Sequence, residues 1–440
     1  MSTAQQILEP NQPFLSSTES NEIGSSLPSA VKFERASKQD AISIEELTKI
    51  LDSTIKYDDA NKVITFLGML LTYTEEDQIN IGFLAESSTG KSYIPLELCK
   101  YFPEEDVKRI GYASPTAFFH DYLTTNKKTK NKQSKHVVDL QKKILIFIDQ
   151  PHDLLLQRLR PILSHDKKVI ELLITDRSKN KNLRTNHIYI RGYPTVIFSS
   201  AKFNMSNQEK TRLLLLSPET TQMKLRDSIE LKIRKESNLK AYNSALAKNL
   251  EIKKLKLRVL EIRKAKIKYL IVPDKLIEAI SEKFFEKHEK LLPRNQRDIS
   301  RLLSMIKANA LLNFKCRRRD EDSISVDQND VDVGFKLYKT FNEANELGLS
   351  PEIYRIYVML QKYMIKHRND YLYGFSITDY QIFYKEKFYR TPNYDVSRDT
   401  LKSLVGLNLL VEEQDLFDRR IKRYMLPECV QKIEKTSTQW

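Results

Sequence analysis

Cysteine is scarce: the 440 residues hold three, Cys99, Cys316 and Cys429, far apart and without a C-x-x-C pair. That spacing excludes a disulfide framework and a cysteine-based zinc site, and it predicts a reducing, cytoplasmic setting. Long apolar runs are missing too. No stretch approaches the roughly 20 residues of a membrane span, and the N-terminus carries no apolar signal-peptide core, so no membrane partner is expected. A nuclease-type carboxylate cluster and a primase active site are also missing. What is abundant is positive charge: 73 Lys and Arg against 58 Asp and Glu, a net +15, with a pI near 9.3. That balance implies a polyanionic partner, nucleic acid before an acidic membrane surface. The length has room for about two to four domains.

The most informative stretch is Ile79 to Ser92, INIGFLAESSTGKS. Ile79, Ile81 and Phe83 alternate as in a buried strand, small polar residues follow, and Gly90-Lys91-Ser92 opens a helix through Leu96 and Leu98. Strand, loop and helix in that order form the setting of a phosphate-binding loop, G-x-x-x-x-G-K-[ST]. Backbone N–H groups at the helix start favour anions. The expected nucleotide contacts are Ala85, Glu86, Ser87, Ser88, Thr89, Gly90, Lys91 and Ser92, with ATP and Mg²⁺ as cofactors. Lys91 reaches the β- and γ-phosphates and Ser92 ligates the metal. Ala85 stands where the pattern has its first glycine, so that position must tolerate a Cβ.

Upstream, Met1 to about Asp40 is rich in Ser, Thr, Asn, Gln and Pro and reads as a disordered tail. Ile42–Tyr57 and Ala60–Tyr73 read as two amphipathic helices bracing the loop strand. Downstream, Val107–Tyr112 reads as a strand, Thr116–Tyr122 as a helix, and Asn126–Lys135 as a lysine-rich excursion. The run from Lys143 to Gln150, KILIFIDQ, is an apolar strand ending in an acid, the Walker B pattern, with Asp149 placed to hold Mg²⁺. Gln150 stands where related ATPases have a glutamate. It can orient water without taking a proton, and Asp153 and Glu86 are the alternative bases. Between residues 167 and 192, two strands flank a polar turn with Arg177, Lys179, Lys181 and Arg184, a β-hairpin with a basic tip. The next strand, Thr195–Phe198, ends in Ser199-Ser200, where a residue sensing the γ-phosphate belongs. Arg212 follows as an arginine finger for a neighbouring subunit.

The order AESSTGKS, ILIFIDQ, hairpin, PTVIFSSAK, EKTRLLLLSPE resembles the AAA+ ATPases. Within them it is most similar to the minichromosome-maintenance and superfamily 3 replicative helicases, and to helicase-like ATPases of archaeal primase–helicase systems and mobile elements. The resemblance covers Ile79 to about Arg319. It implies an α/β fold, a parallel sheet flanked by helices with a helical lid, and a homo-hexamer whose hairpins grip one DNA strand through Lys179 and Lys181. It also implies a sensor arginine at the start of the lid helix, Arg297 first and Arg294 second, and a priming partner.

From 219 to 272 the chain is nearly glycine-free. Leu225, Ile229 and Ile233 recur every four residues, and Ile252, Leu255, Val259 and Ile262 at three–four spacing, so long helices are expected. Their lysines either track phosphates or only solvate a face. Residues 273–345 read as the lid, with an Asp-capped helix in Val326–Phe341. Residues 346–440 read as three helices and two strands, a winged-helix layout. Ser397 caps a short helix, Arg398–Val405, that enters a major groove, and a wing touches backbone. Arg398, Lys402, Arg419 and Arg420 are the leading DNA contacts, with Lys422 and Arg423 behind them. Tyr380, Tyr384 and Tyr389 read as core. The function these features predict is an ATP-dependent DNA translocase or helicase of replication. The alternatives are a nucleotide-switched loader or regulator, and a site-specific DNA-binding protein that uses ATP for assembly.

Overall fold

The computed structural model describes residues 40–114, 124–128, 134–151, 153–165, 167–177, 183–200, 212–288, 290–367, 369–371, 373–415 and 417–427. The expected tail, 1–39, and the expected helix at 116–122 lie outside them.

The chain enters through α1 (Ile44–Leu51), started by a capping box in which the Ser43 side chain accepts the Glu46 N–H and Glu46 returns the bond. Helix α2 (Asp59–Leu70) is buried from Asn61 to Leu70. Even Lys62 is inside, its ammonium held by Asp52, by Asp59 at 2.7 Å and by the Tyr57 carbonyl at 3.0 Å. A charge is tolerated there only because it is paired.

Strand β1 (Ile81–Leu84) leads through the loop to a short helix, α3 (Tyr93–Leu98). Then come β2 (Val107–Ile110), β3 (Thr124–Lys128), β4 (Ser134–Asp139) and β5 (Ile144–Phe147), followed by α4 (Asp153–Leu163). The chain continues with β6 (Val169–Arg177), β7 (Leu183–Arg191), β8 (Thr195–Ser200) and β9 (Leu214–Leu216). Five of these form one sheet in the order β2-β5-β8-β1-β9, and every pair in it is parallel. Alternation along the strands divides two cores. Ile81, Phe83, Ile144, Ile146 and Ile197 face one, while Leu145, Phe147, Val196 and Phe198 face the other. Both faces are covered, as a parallel sheet requires.

One covering layer is a second sheet, β3-β4-β7-β6, packed with α4. The basic-tipped hairpin expected at 167–192 is its β6–β7 pair, antiparallel from Val169↔Arg191 to Arg177↔Leu183. The lysine-rich excursion at 126–135 is corrected: β3 and β4 pair antiparallel there, and β4 runs parallel to β7. The edge strand β3 and the start of β4 are made of Thr, Asn, Lys and Ser and carry little apolar alternation, so their pattern resembles a loop.

The other layer is helical: α5 (Gln222–Ser237), α6 (Leu239–Lys248), α7 (Leu250–Ala265), α8 (Asp274–Phe285), α9 (Asn295–Leu312), α10 (Gln328–Lys339) and α11 (Asn342–Glu346). Helix α9 packs against α2 and α10, and its residues join those of α1, α2 and α7 in one core. The segment expected as a lid therefore shares its core with the N-terminal helices. A small sheet, β10 (Tyr269–Ile271), β12 (Ser323–Ser325) and β11 (Arg319–Asp320), ties α7 to α10. Asp327 caps α10 through a capping box with Asp330. Ile252, Leu255, Val259 and Ile262 are buried as their spacing predicts, whereas Ile229 and Ile233 on α5 are each 59% exposed.

Residues 349–426 build a third core from α12 (Pro351–Lys366), α13 (Ile377–Phe388), α14 (Tyr394–Gly406), β13 (Val411–Gln414) and β14 (Lys422–Met425). Phe375 bridges Tyr424 on the other side of β14. The expected Ser397 cap is corrected: Asn393 caps α14, accepting the Asp395 N–H at 3.1 Å, and Ser397 is buried a turn inside the helix.

Candidate nucleotide site

The loop Ala85–Ser92 leaves the C-terminal end of β1. Its first residue is fixed by the sheet: the buried Ala85 donates its N–H to the Ser200 carbonyl at 3.3 Å, so a Cβ is accommodated where the motif usually has glycine. Two left-handed residues, Ser88 at φ 67° and Gly90 at φ 96°, curl the loop back. Nothing lies within 4 Å of a Cβ built on Gly90, so glycine serves the backbone angle there, not the space.

The ends of β5 and β8 converge on the loop. The Ser92 hydroxyl reaches the Ile148 carbonyl at 3.5 Å, one residue before Asp149. Ser199 Oγ donates to the Lys91 carbonyl at 3.3 Å. The sheet register causes both contacts: β8 sits between β1 and β5, pairing Phe83 with Ser199 and Phe147 with Phe198. Lys91 Nζ donates to the Glu86 carbonyl at 3.3 Å, which also accepts Thr89 Oγ1 at 2.9 Å. Asp149 is exposed and its carboxylate accepts the Gln150 N–H at 2.8 Å. Asp153 is exposed on the first turn of α4. Magnesium bound through phosphates needs only one or two protein carboxylates, and Ser92 with Asp149 could supply a hydroxyl and a carboxylate.

Beside the loop is a cavity of about 370 Å³ lined by Ile55, Tyr93, Ile94 and Leu225, with Ser88–Gly90 on one wall. Its apolar walls suit a flat base, and its charged lining is mixed: Lys56, Lys224, Lys232 and Lys235 with Asp58 and Glu236.

Two cations at the loop were missed by sequence reasoning. Lys224, buried on α5, pairs with the buried Asp58 and donates to the Glu219 carbonyl at 2.7 Å and the Thr89 carbonyl at 3.4 Å. Asp58 also accepts Asn61 Nδ2 at 2.9 Å and the Glu219 N–H at 2.7 Å. Arg390, just past α13, pairs with the Glu86 carboxylate. Nearby, burial first and then the Glu86 charge push the Glu352 carboxyl above its ordinary range. No short motif marks either cation, because each partner lies far along the chain.

The two expected arginines sit elsewhere. Arg212 and Arg297 line a cavity of about 500 Å³ with residues 76–80, at the N-terminal end of β1 and away from the loop of their own chain. Arg301 beside them is buried, donating to Leu213 O at 2.6 Å and to Asp298 at 2.9 Å. Arg294 is held by the Asn345 carbonyl.

Of the expected DNA contacts, Lys179 and Lys181 lie outside the described residues, and Arg177 ends β6. Arg398 on α14 is shared between Asp395 at 3.0 Å and Asp399 at 3.5 Å, while Lys402 is exposed. In the β13–β14 turn, Arg419 is exposed and Arg420 forks onto Asp418 at 2.9 and 3.0 Å. Asp415, accepting the Asp418 N–H, the Arg423 side chain and the Phe417 N–H, is held down to about 2. Lys422 pairs with Glu412 and Arg423 with Asp415.

No protein-family profile matches the chain, and no curated protein matches it at a significant level. Among the described residues, no helix is long and apolar enough to cross a membrane.

Proposed function

We propose that the protein is an ATP-hydrolysing motor of the AAA+ type that moves along DNA. One observation carries the reading: the end of the Asp149 strand reaches Ser92 and Ser199 reaches the Lys91 backbone, so the ends of three different strands converge on Lys91-Ser92. A strand inserted between the loop strand and the acid-bearing strand supports it. So does the cavity against Ser88–Gly90.

ATP·Mg²⁺ supplies the phosphoryl group that is transferred to water. Lys91 neutralises the β- and γ-phosphates, Ser92 and Asp149 hold the metal, and Ser199 fixes the Lys91 backbone. Gln150 or Asp153 orients the attacking water. Arg212 completes the site of a neighbouring copy in a homo-hexamer, and the cavity Arg297 lines with Arg212 supports giving Arg297 a role at that same interface. The net +15 charge supports a nucleic-acid partner. The hairpin tip with Lys179 and Lys181 grips the strand, while the C-terminal winged-helix domain meets duplex through Lys402, Arg419 and Arg420. Replication in the cytoplasm, with a separate priming partner, is the setting this reading implies. A nucleotide-switched loader is the second reading, favoured by Gln150, which cannot accept a proton.

ATP turnover with and without single-stranded DNA tests the proposal. Turnover is expected to vanish in Lys91→Ala, and its stimulation by DNA is expected to vanish when Lys179 and Lys181 become Ala. Tight ATP binding with negligible turnover that ignores DNA would overturn the motor and leave the loader.

A further inference from the structure

Glu86 gathers two cations onto one loop residue. Its carbonyl accepts Lys91 Nζ at 3.3 Å, and its carboxylate pairs with Arg390 from the C-terminal domain. Arg390 is thus tied to the same loop residue whose carbonyl holds the Lys91 ammonium. The chain delivers it deliberately. Tyr389, expected in the core with Tyr380 and Tyr384, is corrected: it ends α13 in the left-handed conformation, φ 58°, and is 81% exposed, whereas the other two are buried. Past that turn Arg390 reaches Glu86 on the loop, while within its own domain it donates to Tyr384 Oη at 2.9 Å and lies 3.8 Å from Glu352. The pair is reachable, since the Arg390 and Glu86 side chains are 41% and 37% exposed. The domain is also tethered next to the loop, because Arg355 on α12 donates to Thr220 Oγ1 at 3.1 Å.

A guanidinium prefers the anion that offers it a bidentate fork, and phosphate oxygens match carboxylate in this. A terminal phosphate drawn to Lys91 brings such an anion to the Glu86 corner of the loop. We propose that Arg390 is a phosphate-sensing residue supplied by the C-terminal domain to its own chain's loop. It exchanges the Glu86 carboxylate for the terminal phosphate of a nucleoside triphosphate, so the domain's hold on the loop differs between tri- and diphosphate. The proposal rests on the nucleotide reading of the loop.

The test compares binding of a non-hydrolysable ATP analogue and of ADP to the full chain. Arg390→Ala is expected to weaken the analogue by roughly tenfold or more, the loss of one charge-assisted contact, and to leave ADP within about twofold. Glu86→Gln, which frees Arg390 but keeps its contacts with Tyr384 and Glu352, is expected to raise the analogue-to-ADP affinity ratio. That gain is expected to vanish in the Glu86→Gln/Arg390→Ala double variant. Equal effects of Arg390→Ala on both nucleotides, or none on either, would overturn the proposal provided Lys91→Ala abolishes both. Where Arg390→Ala unfolds the domain, the Glu86→Gln ratio decides, and an unchanged ratio overturns it. Full binding by Lys91→Ala would instead sink the nucleotide reading itself.

Discussion

Asp58 and Lys224 show how much of the loop's order depends on single buried charges. Their side chains are 1% and 7% exposed, and between them they join the start of α2, the Glu219 backbone and the Thr89 carbonyl. Removing one partner strands the other in a medium that solvates it poorly. Lys224→Ala is therefore expected to lower stability by about 3–5 kcal/mol, read as the shift in a denaturant unfolding curve. The double variant Asp58→Asn/Lys224→Met should recover most of it, since two neutral groups leave no lone charge. A loss under about 1 kcal/mol in Lys224→Ala would show that water reaches the pair. The motif residues behave differently. Lys91, Ser92 and Asp149 stand out in the sequence because they fall in short local patterns, whereas Asp58 precedes a helix like many other residues.

At the level of elements, close approach decides which helices form one layer. Gly334 on α10 faces Ile306 on α9: a Cβ there would stand 2.2 Å from Ile306 Cγ1 and 3.1 Å from its Cα. Glycine lets the two helices touch along their backbones, which helps draw residues 295–339 into the core shared with α2. Gly334→Ala is expected to cost about 1–3 kcal/mol through forced separation, measurable as a lower melting temperature. An unchanged melting temperature would mean that Ile306 repacks freely. The edge strand β9 shows a related device. Asn345 donates to the Leu215 carbonyl at 3.0 Å and accepts its N–H at 2.9 Å, so one side chain stands in for a neighbouring strand and protects the sheet's edge.

For the whole molecule, the net +15 matters less than where cations lack a carboxylate neighbour. Arg398 is shared by two aspartates, whereas Arg419 is exposed in the β13–β14 turn. If the C-terminal domain binds duplex as proposed, Arg419→Ala should reduce the slope of log K against log salt by about 0.9. Arg398→Ala should change it less, because Arg398 already has its counter-charges. Equal slopes for both variants would move the DNA contact off this turn.

Local pattern was enough for β1, β5, the β6–β7 hairpin, β8 and the buried face of α7, because apolar periodicity and turn residues act over a few positions. It also marked the loop from Ala85 to Ser92. It failed for β3 and β4, which pair with each other while β4 runs along β7, a strand about 50 residues further on. The sequence by itself therefore determined the kinds of elements, the strand–loop–helix pattern at Ala85–Ser92 and the net positive charge. Only the tertiary structure decided that β8 inserts between β1 and β5, that Arg297 joins Arg212 away from its own loop, and that Arg390 meets Glu86 across 304 residues. Such pairings follow from chain crossing and sheet register, which no local window of residues contains.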